Sequence, residues 1–177
     1  MRTGTCLSIA LLCSLLSGAA SAQVPPTGVS DQLPLLKSAD PKLAANKRLV
    51  FDMYRTVLNA GRAGEAPRFF TPGYIQHNPN VTSGRDGLVA YIRRTRPERP
   101  IPAQIAFPVI SITAEGDLVT VATVSYEDDV ERPGEKFVTT HFDMFRIEKG
   151  LIAEHWDNVG RSTASATKDP NLSNRPK

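Results

Sequence analysis

Asp143 is the residue of this sequence whose type and setting best suit acid–base chemistry. It lies in a predicted strand, where alternation places it on the same face as Phe145 and Ile147. A carboxylate on a mostly apolar face is desolvated, which raises its pKa and suits a general base near neutral pH. Such a base could remove a proton next to a carbonyl group. The alternative is a structural Asp143 that pairs with an arginine or a backbone amide at the rim of the fold.

The histidines are the other candidates for proton transfer. There are three of them, His77, His141 and His155. Each could polarise a carbonyl or shuttle a proton together with Asp143, although a single histidine is more often a hydrogen-bonded structural side chain. We expect His77 to be the partner of Asp143, because it follows Tyr74 and Gln76 in a segment that would line the mouth of a pocket.

The sequence predicts neither a metal nor a cofactor. The histidines and Asp143 show no helical i, i+4 pair and none of the usual zinc-binding patterns. Both cysteines, Cys6 and Cys13, lie in an N-terminal segment that we expect to be removed. The mature chain would then have no thiol, which excludes a thiolate nucleophile and a cysteine-based zinc site.

The N-terminal segment has the pattern of a secretory signal peptide. Arg2 precedes an apolar run over residues 6–16, which is followed by Ala20-Ser21-Ala22. A membrane-spanning helix needs about 20 apolar residues, and this run is shorter. We therefore predict cleavage after Ala22 and a periplasmic or secreted protein without a membrane segment.

Charge does not indicate a nucleic-acid partner. The 177 residues carry a formal net charge of +3, and most basic residues are spread among acidic ones. The one dense basic cluster consists of Arg93, Arg94, Arg96 and Arg99. We interpret it as the solvated C-terminal end of a helix, where positive charge complements the helix dipole.

Hydrophobic periodicity predicts helices first and strands afterwards, an α+β order. A first helix starts at the cap Asp40 and ends near Gly61, a shorter helical piece covers residues 65–70, and Ser83 caps a third helix. Strands are expected over residues 105–113, 118–126, 137–147 and 151–159. The predicted organisation is a signal peptide (1–22), an extended lead-in (23–39), one domain (40–162) and a flexible tail (163–177).

Three segments, together with this order of elements, resemble the SnoaL-like (polyketide cyclase-like) family of the nuclear transport factor 2 superfamily. They are Tyr74-Ile75-Gln76-His77-Asn78-Pro79, His141-Phe142-Asp143-Met144-Phe145-Arg146-Ile147 and Ala153-Glu154-His155-Trp156-Asp157. The resemblance covers residues 44–159. It implies a cone, a cystatin-like roll in which a curved mixed or antiparallel sheet wraps around three N-terminal helices and holds a ligand at its mouth.

The family includes polyketide cyclases, ketosteroid isomerases, dehydratases and non-catalytic pocket proteins, so the fold alone does not settle the function. The resemblance implies acid–base catalysis by Asp143, by aldol condensation, isomerisation or dehydration and without a cofactor. We expect His77 to be its polar partner and the ligand to be a small hydrophobic or aromatic carbonyl compound. The alternative is a non-catalytic periplasmic ligand-binding or dimerisation module, and a homodimer is expected. The pocket would be formed by Tyr74, Gln76, Asn78, Tyr126, His141, Phe145, His155, Trp156 and Asp157.

The last hairpin decides which residue of its second strand faces the pocket. A two-residue Lys149-Gly150 turn pairs Ile147 with Ile152 and brings Trp156 opposite Asp143, whereas a three-residue loop with a bulge brings His155 there. Burying a large apolar side chain contributes about 1.5–3 kcal/mol. A lysine at positive φ costs roughly 1–2 kcal/mol. We therefore predict that Trp156 faces inward and His155 faces away.

Overall fold

The computed structural model describes residues 24–129 and 131–160. The predicted signal peptide (1–22) and flexible tail (163–177) lie outside these residues. Within the described part of the chain, no helix is both long enough and apolar enough to cross a membrane.

The first helix, α1, spans Pro41–Met53 and begins as predicted. The side chain of Asp40 accepts hydrogen bonds from the backbone N–H groups of Lys42 at 2.7 Å and Leu43 at 3.4 Å. The helix continues as a wider π-helical turn over Tyr54–Asn59. Such turns often lie at functional sites, and this one directs the buried Tyr54 towards the sheet.

The remaining helical segments are 3₁₀ turns over Leu33–Leu36 and Ala63–Arg68 and helix α2 over Arg85–Thr95. The prediction that Ser83 caps α2 is wrong, because Gly84 occupies the N-cap position with a φ of 90° and no capping side chain. The Ser83 hydroxyl instead accepts a hydrogen bond from Gln76 N at 3.0 Å and donates one to Gln76 O at 3.1 Å. Ser83 thereby joins the start of α2 to the strand that ends at Gln76.

One five-stranded sheet forms the second layer, in the order β1-β5-β4-β3-β2. The strands are β1 Phe70–Gln76, β2 Val109–Glu115, β3 Leu118–Asp128, β4 Lys136–Glu148 and β5 Leu151–Asp157. β1 is parallel to β5, and the other neighbours are antiparallel. The prediction of an α+β cone with a mixed sheet is confirmed, although β1 is not among the strands that the sequence predicts.

The core lies between the helices and the inner face of the sheet. Residues from every layer are almost completely buried there, including Phe51, Val57, Ile92, Val119, Val121, Phe145 and Ile152. Because the burial of each large side chain contributes about 1.5–3 kcal/mol, this layer fixes the positions of the strands that carry the polar residues.

The predicted lead-in is bound to the domain. Val29 N donates to Val109 O at 2.8 Å, beside the edge strand β2. The buried Gln32 side chain donates to Ile105 O at 3.0 Å and accepts from Ile105 N at 2.8 Å. The segment therefore covers the outer edge of the sheet.

The final hairpin combines the predicted turn with a bulge. Lys149 and Gly150 have φ values of 51° and 78°, and Ile147 pairs with Ile152, as the two-residue turn requires. A bulge then leaves Ala153 without a partner, since Arg146 already pairs with Glu154.

The bulge reverses the faces of the following residues. His155 pairs with Phe145, and Trp156 pairs with Met144. The prediction that Trp156 faces inward is wrong for this reason: the turn forms as predicted, and the extra residue moves His155 to the inner face.

Candidate functional site

A cavity of about 270 Å³ lies between the helices and the inner face of the sheet. Its apolar wall comes mainly from the helices and the loop before β2, and includes Met53, Leu58, Leu88 and Phe107. Its polar wall comes mainly from β1, β4 and β5, and includes Tyr74, Gln76, Asn78, His141, Asp143, His155 and Asp157. Most of the polar residues that the sequence predicted for the pocket therefore line one cavity.

Asp143 is the central acceptor of this wall. Its Oδ1 accepts hydrogen bonds from Nε2 of His155 at 2.8 Å and from Nε2 of His141 at 3.2 Å. Its Oδ2 accepts a short hydrogen bond from the hydroxyl of Tyr54. With its side chain only 13% exposed, Asp143 depends on these three donors in place of water.

The pKa of Asp143 reflects two opposing causes. Burial raises it, but the hydrogen bonds from His141, His155 and Tyr54 outweigh burial and hold the pKa well below its ordinary value. The prediction of a raised pKa is therefore wrong, because it took into account the burial of Asp143 on an apolar face but not its three hydrogen-bond donors. Asp143 is a stable carboxylate at neutral pH and a weak base by itself.

His155 is held at both ring nitrogens. Its Nδ1 lies 2.8 Å from Oε1 of Gln76, which also accepts the backbone N–H of Asn78 at 2.9 Å. An N–H group can only donate, so Asn78 fixes which atom of the Gln76 amide is the oxygen. His155 Nδ1 must then donate to Gln76, while Nε2 faces Asp143. Gln76 therefore fixes the orientation of the His155 ring.

His141 is less constrained than His155. Its side chain is 23% exposed, and its one side-chain hydrogen bond within the described residues is with Asp143 Oδ1. This hydrogen bond raises the pKa of His141, against the lowering effect of partial burial. The ring therefore takes up a proton more readily than a free histidine, and Nδ1 remains available to another molecule.

Tyr54 is a site residue that the sequence did not reveal. It lies at the end of α1, and its hydroxyl donates to Asp143 from 89 positions away. Burial, followed by the charge of Asp143, raises the pKa of Tyr54 and of Tyr74, so both phenols stay protonated. A polar hydroxyl within an otherwise apolar helix face was the available signal.

The geometry provides a test for a metal ion. Ligand atoms of Asp143, His155 and Asp157 lie within 4.8 Å of one another. However, His155 Nε2 is directed at Asp143 itself, and Asp157 Oδ2 accepts a hydrogen bond from Asn78 Nδ2 at 2.6 Å. The donor set is thus occupied by internal hydrogen bonds, and we assign no metal to it.

Three predicted site residues, Tyr126, His77 and Trp156, do not line the cavity. Tyr126 is 58% exposed on β3 and does not line the cavity. His77 lies past the end of β1 on the opposite face from Gln76, where Nε2 contacts Glu154 Oε1 at 2.7 Å. Its ring stacks on Trp156 with centroids 5.0 Å apart and planes 5° apart. The prediction that His77 converges with Asp143 is wrong, because strand alternation places the two on different faces.

Comparison with known proteins agrees with this architecture. The sequence model of the SnoaL-like domain matches residues 50–155. No curated protein matches the chain at a significant level.

Among solved structures, TsrD from Streptomyces laurentii is 25% identical and has a TM-score of 0.46, with 68% of this chain and 90% of that chain covered. A protein from Acidithiobacillus ferrooxidans, proposed to be a polyketide cyclase, is 17% identical with a TM-score of 0.47, over 68% of this chain and 89% of its own. An NTF2-like protein of unknown function from Burkholderia pseudomallei K96243 is 16% identical with a TM-score of 0.47, over 66% and 91%. These TM-scores are below 0.5, so the three likenesses carry no conclusion about activity. By the domain match over residues 50–155, the chain belongs to the SnoaL-like family of the NTF2-like superfamily.

Proposed function

We propose that this protein is an acid–base enzyme that acts on a small carbonyl compound without a cofactor. The observation that carries the proposal is the arrangement around Asp143, where a buried carboxylate orients a histidine at the wall of a cavity. A carboxylate that holds a histidine in one orientation, with the far ring nitrogen free, is a recurring device for proton transfer.

His141 is the proton carrier in this proposal. With Nε2–H donated to Asp143, the neutral ring presents Nδ1 as a base to a C–H group beside the substrate carbonyl. The proton moves to Nδ1, the electron pair of the C–H bond enters an enolate, and Asp143 stabilises the imidazolium that results. His141 then returns the proton to oxygen or to another carbon, which accommodates aldol condensation, isomerisation or dehydration.

The other residues hold this pair in place. Tyr54 and His155 keep Asp143 ionised and oriented, so that Asp143 acts through His141 and does not itself remove the proton. Met53 and Phe107 supply an apolar wall that suits a hydrophobic or aromatic ligand. The cavity of about 270 Å³ is slightly smaller than the roughly 300–1,000 Å³ of drug-sized ligand sites.

The test is hydrogen–deuterium exchange next to a carbonyl. Aryl methyl ketones are incubated with the protein in D₂O, and loss of the methyl proton signal is followed by NMR. His141→Gln and Asp143→Asn should each slow the exchange about 100- to 10,000-fold, as expected for loss of a general base or its positioning group. His77→Gln is the matched control, since this histidine lies outside the cavity.

A His141→Gln variant within a few-fold of the wild-type rate would remove His141 from the mechanism. Binding of ketones without any exchange would favour the alternative, a non-catalytic ligand-binding protein with the same cone.

Export is a separate proposal, supported by the pattern of Arg2, the apolar run and Ala20-Ser21-Ala22. Mass spectrometry of the protein from its native host should show a mature chain that starts at Gln23. Retention of Met1 or Arg2 would contradict it.

We also propose a homodimer through the outer face of the sheet. Apolar side chains on this face include Ile75 and Phe142, which are 43% and 50% exposed. Light scattering at micromolar concentration should give the mass of a dimer, and a monomer mass would contradict the proposal.

A further inference from the structure

Arg96 differs from the other members of the basic cluster at the end of α2. Arg93, Arg94 and Arg99 are exposed, as the sequence predicted for a solvated helix end. Arg96 is partly buried and lines the cavity that contains Asp143. Among the described residues that form this cavity, it is the one lysine or arginine.

The hydrogen bonds of Arg96 are incomplete. Nη1 donates to Leu58 O at 3.0 Å, which holds the guanidinium against the π-helical turn after α1. Nε is buried, and no acceptor within residues 24–129 and 131–160 lies at hydrogen-bonding distance from it. A buried N–H group without an acceptor costs free energy, so the protein itself pairs this guanidinium only in part.

Charge divides the cavity into two sides. Asp143 and Asp157 lie side by side on the sheet, where they are a cross-strand pair. These carboxylates repel an anionic group of a ligand, whereas Arg96 on the helical side attracts one. A planar guanidinium also suits a carboxylate better than it suits a neutral carbonyl, because two N–H groups can donate to the two oxygens.

We infer that the cavity binds a small carbonyl compound that also carries a carboxylate, with the carboxylate at Arg96 and the carbonyl end directed to His141. The substrate class is therefore that of keto acids and acyl-substituted aromatic acids. Arg96 is the residue that distinguishes the acid from its neutral derivatives. This inference rests on the proposed function for the role of the carbonyl end, while the recognition of the carboxylate is a binding property independent of turnover.

The experiment compares 4-acetylbenzoate with its uncharged methyl ester by calorimetric titration of the full chain. The wild type should bind the acid at least about tenfold more tightly than the ester, which corresponds to about 1.4 kcal/mol. Arg96→Gln should abolish this preference, and Arg96→Lys should restore part of it, because lysine keeps the charge and lacks the planar fork. Arg93→Gln is the matched control: it removes the same charge from an exposed position of α2 and should leave the preference unchanged.

Equal binding of acid and ester by the wild type would overturn the inference, as would no binding of the acid at millimolar concentrations. A preference that survives in Arg96→Gln would overturn it too. If Arg96→Gln does not fold, because Leu58 O loses its donor, the wild type and Arg96→Lys still decide the matter. If the wild type prefers the acid but catalyses no proton exchange, the proposed function alone is contradicted. If it catalyses exchange but does not prefer the acid, this inference alone is contradicted.

Discussion

A histidine, a carboxylate and an aromatic ring meet on each face of the β4–β5 hairpin, but in different surroundings. On the inner face, His155 bonds to Asp143 and stacks on Phe145 with ring centroids 4.7 Å apart. On the outer face, His77 from the end of β1 bonds to Glu154 and stacks on Trp156. The side chain of His155 is 10% exposed, and that of His77 is 43% exposed.

The comparison shows that residue types alone do not make a reactive site. On the outer face, water competes for the hydrogen bonds and screens the charges, so the side chains form only separate surface pairs. On the inner face, neighbouring side chains take the place of water, and three donors converge on Asp143. Burial therefore turns a common histidine–carboxylate pair into a connected network.

The largest expected effect comes from replacing the two histidines in matched variants. His155→Gln breaks the buried pair with Asp143, so we expect the free energy of unfolding to fall by about 3 kcal/mol. His77→Gln removes a surface pair, which contributes about 1 kcal/mol or less. Urea denaturation followed by circular dichroism measures both. Equal losses for the two variants would show that burial does not separate the faces.

The second comparison tests how Gln76 controls His155. Gln76→Leu leaves the N–H of Asn78 and Nδ1–H of His155 without an acceptor, and should lower the free energy of unfolding by about 2 kcal/mol. Gln76→Glu keeps an acceptor for both groups and should be milder. Nitrogen-15 NMR should show a proton on Nδ1 of His155 in the wild type. An unprotonated Nδ1 would contradict the arrangement.

The pH dependence of stability should show two limbs. Hydrogen bonds lower the pKa of Asp143 below its ordinary value of 3.8, so its contribution is present above that pH and is lost as the pH falls towards the lowered value. The hydrogen bond with Asp143 raises the pKa of His141 above 6.5, so its contribution is present below that pH and is lost as the pH rises through the raised value.

Asp143→Asn should weaken both limbs, because the carboxylate causes the shift of His141 as well as its own. Thermal unfolding of both proteins from about pH 2 to about pH 9, a range that spans the ordinary pKa values of Asp and His, measures the pH dependence of stability. A variant with both limbs intact would assign them to other groups.

Local patterns were sufficient to predict most of the fold. Helical spacing and the Asp40 cap located α1, and alternation located β3, β4 and β5. β1 was not predicted as a strand, since it contains Pro72 and Gly73 and depends on pairing with the distant β5. Its pairing partner is set by the tertiary fold, which no local pattern contains.

Prediction of side-chain orientation succeeded where strand alternation was uninterrupted. Asp143 and Phe145 share the inner face of β4 as predicted. The prediction failed for Trp156 because a single unpaired alanine reverses the faces, and Ala153 has no distinctive sequence signal. It missed Tyr54 because that contact joins a helix to a strand far along the chain.

The smallest expected effect concerns the turn that precedes the bulge. Lys149 has a φ of 51°, in the left-handed region that disfavours lysine and that asparagine tolerates. Lys149→Asn gives the Asn-Gly sequence preferred in two-residue hairpins, so we expect stability to rise by about 0.5–1 kcal/mol. The inner and outer faces of β5 should not exchange, because the bulge at Ala153 and not the turn places His155 inward. Amide NMR contacts between Phe145 and His155 in the variant provide the check. Their replacement by contacts between Phe145 and Trp156 would mean that the turn controls the register after all.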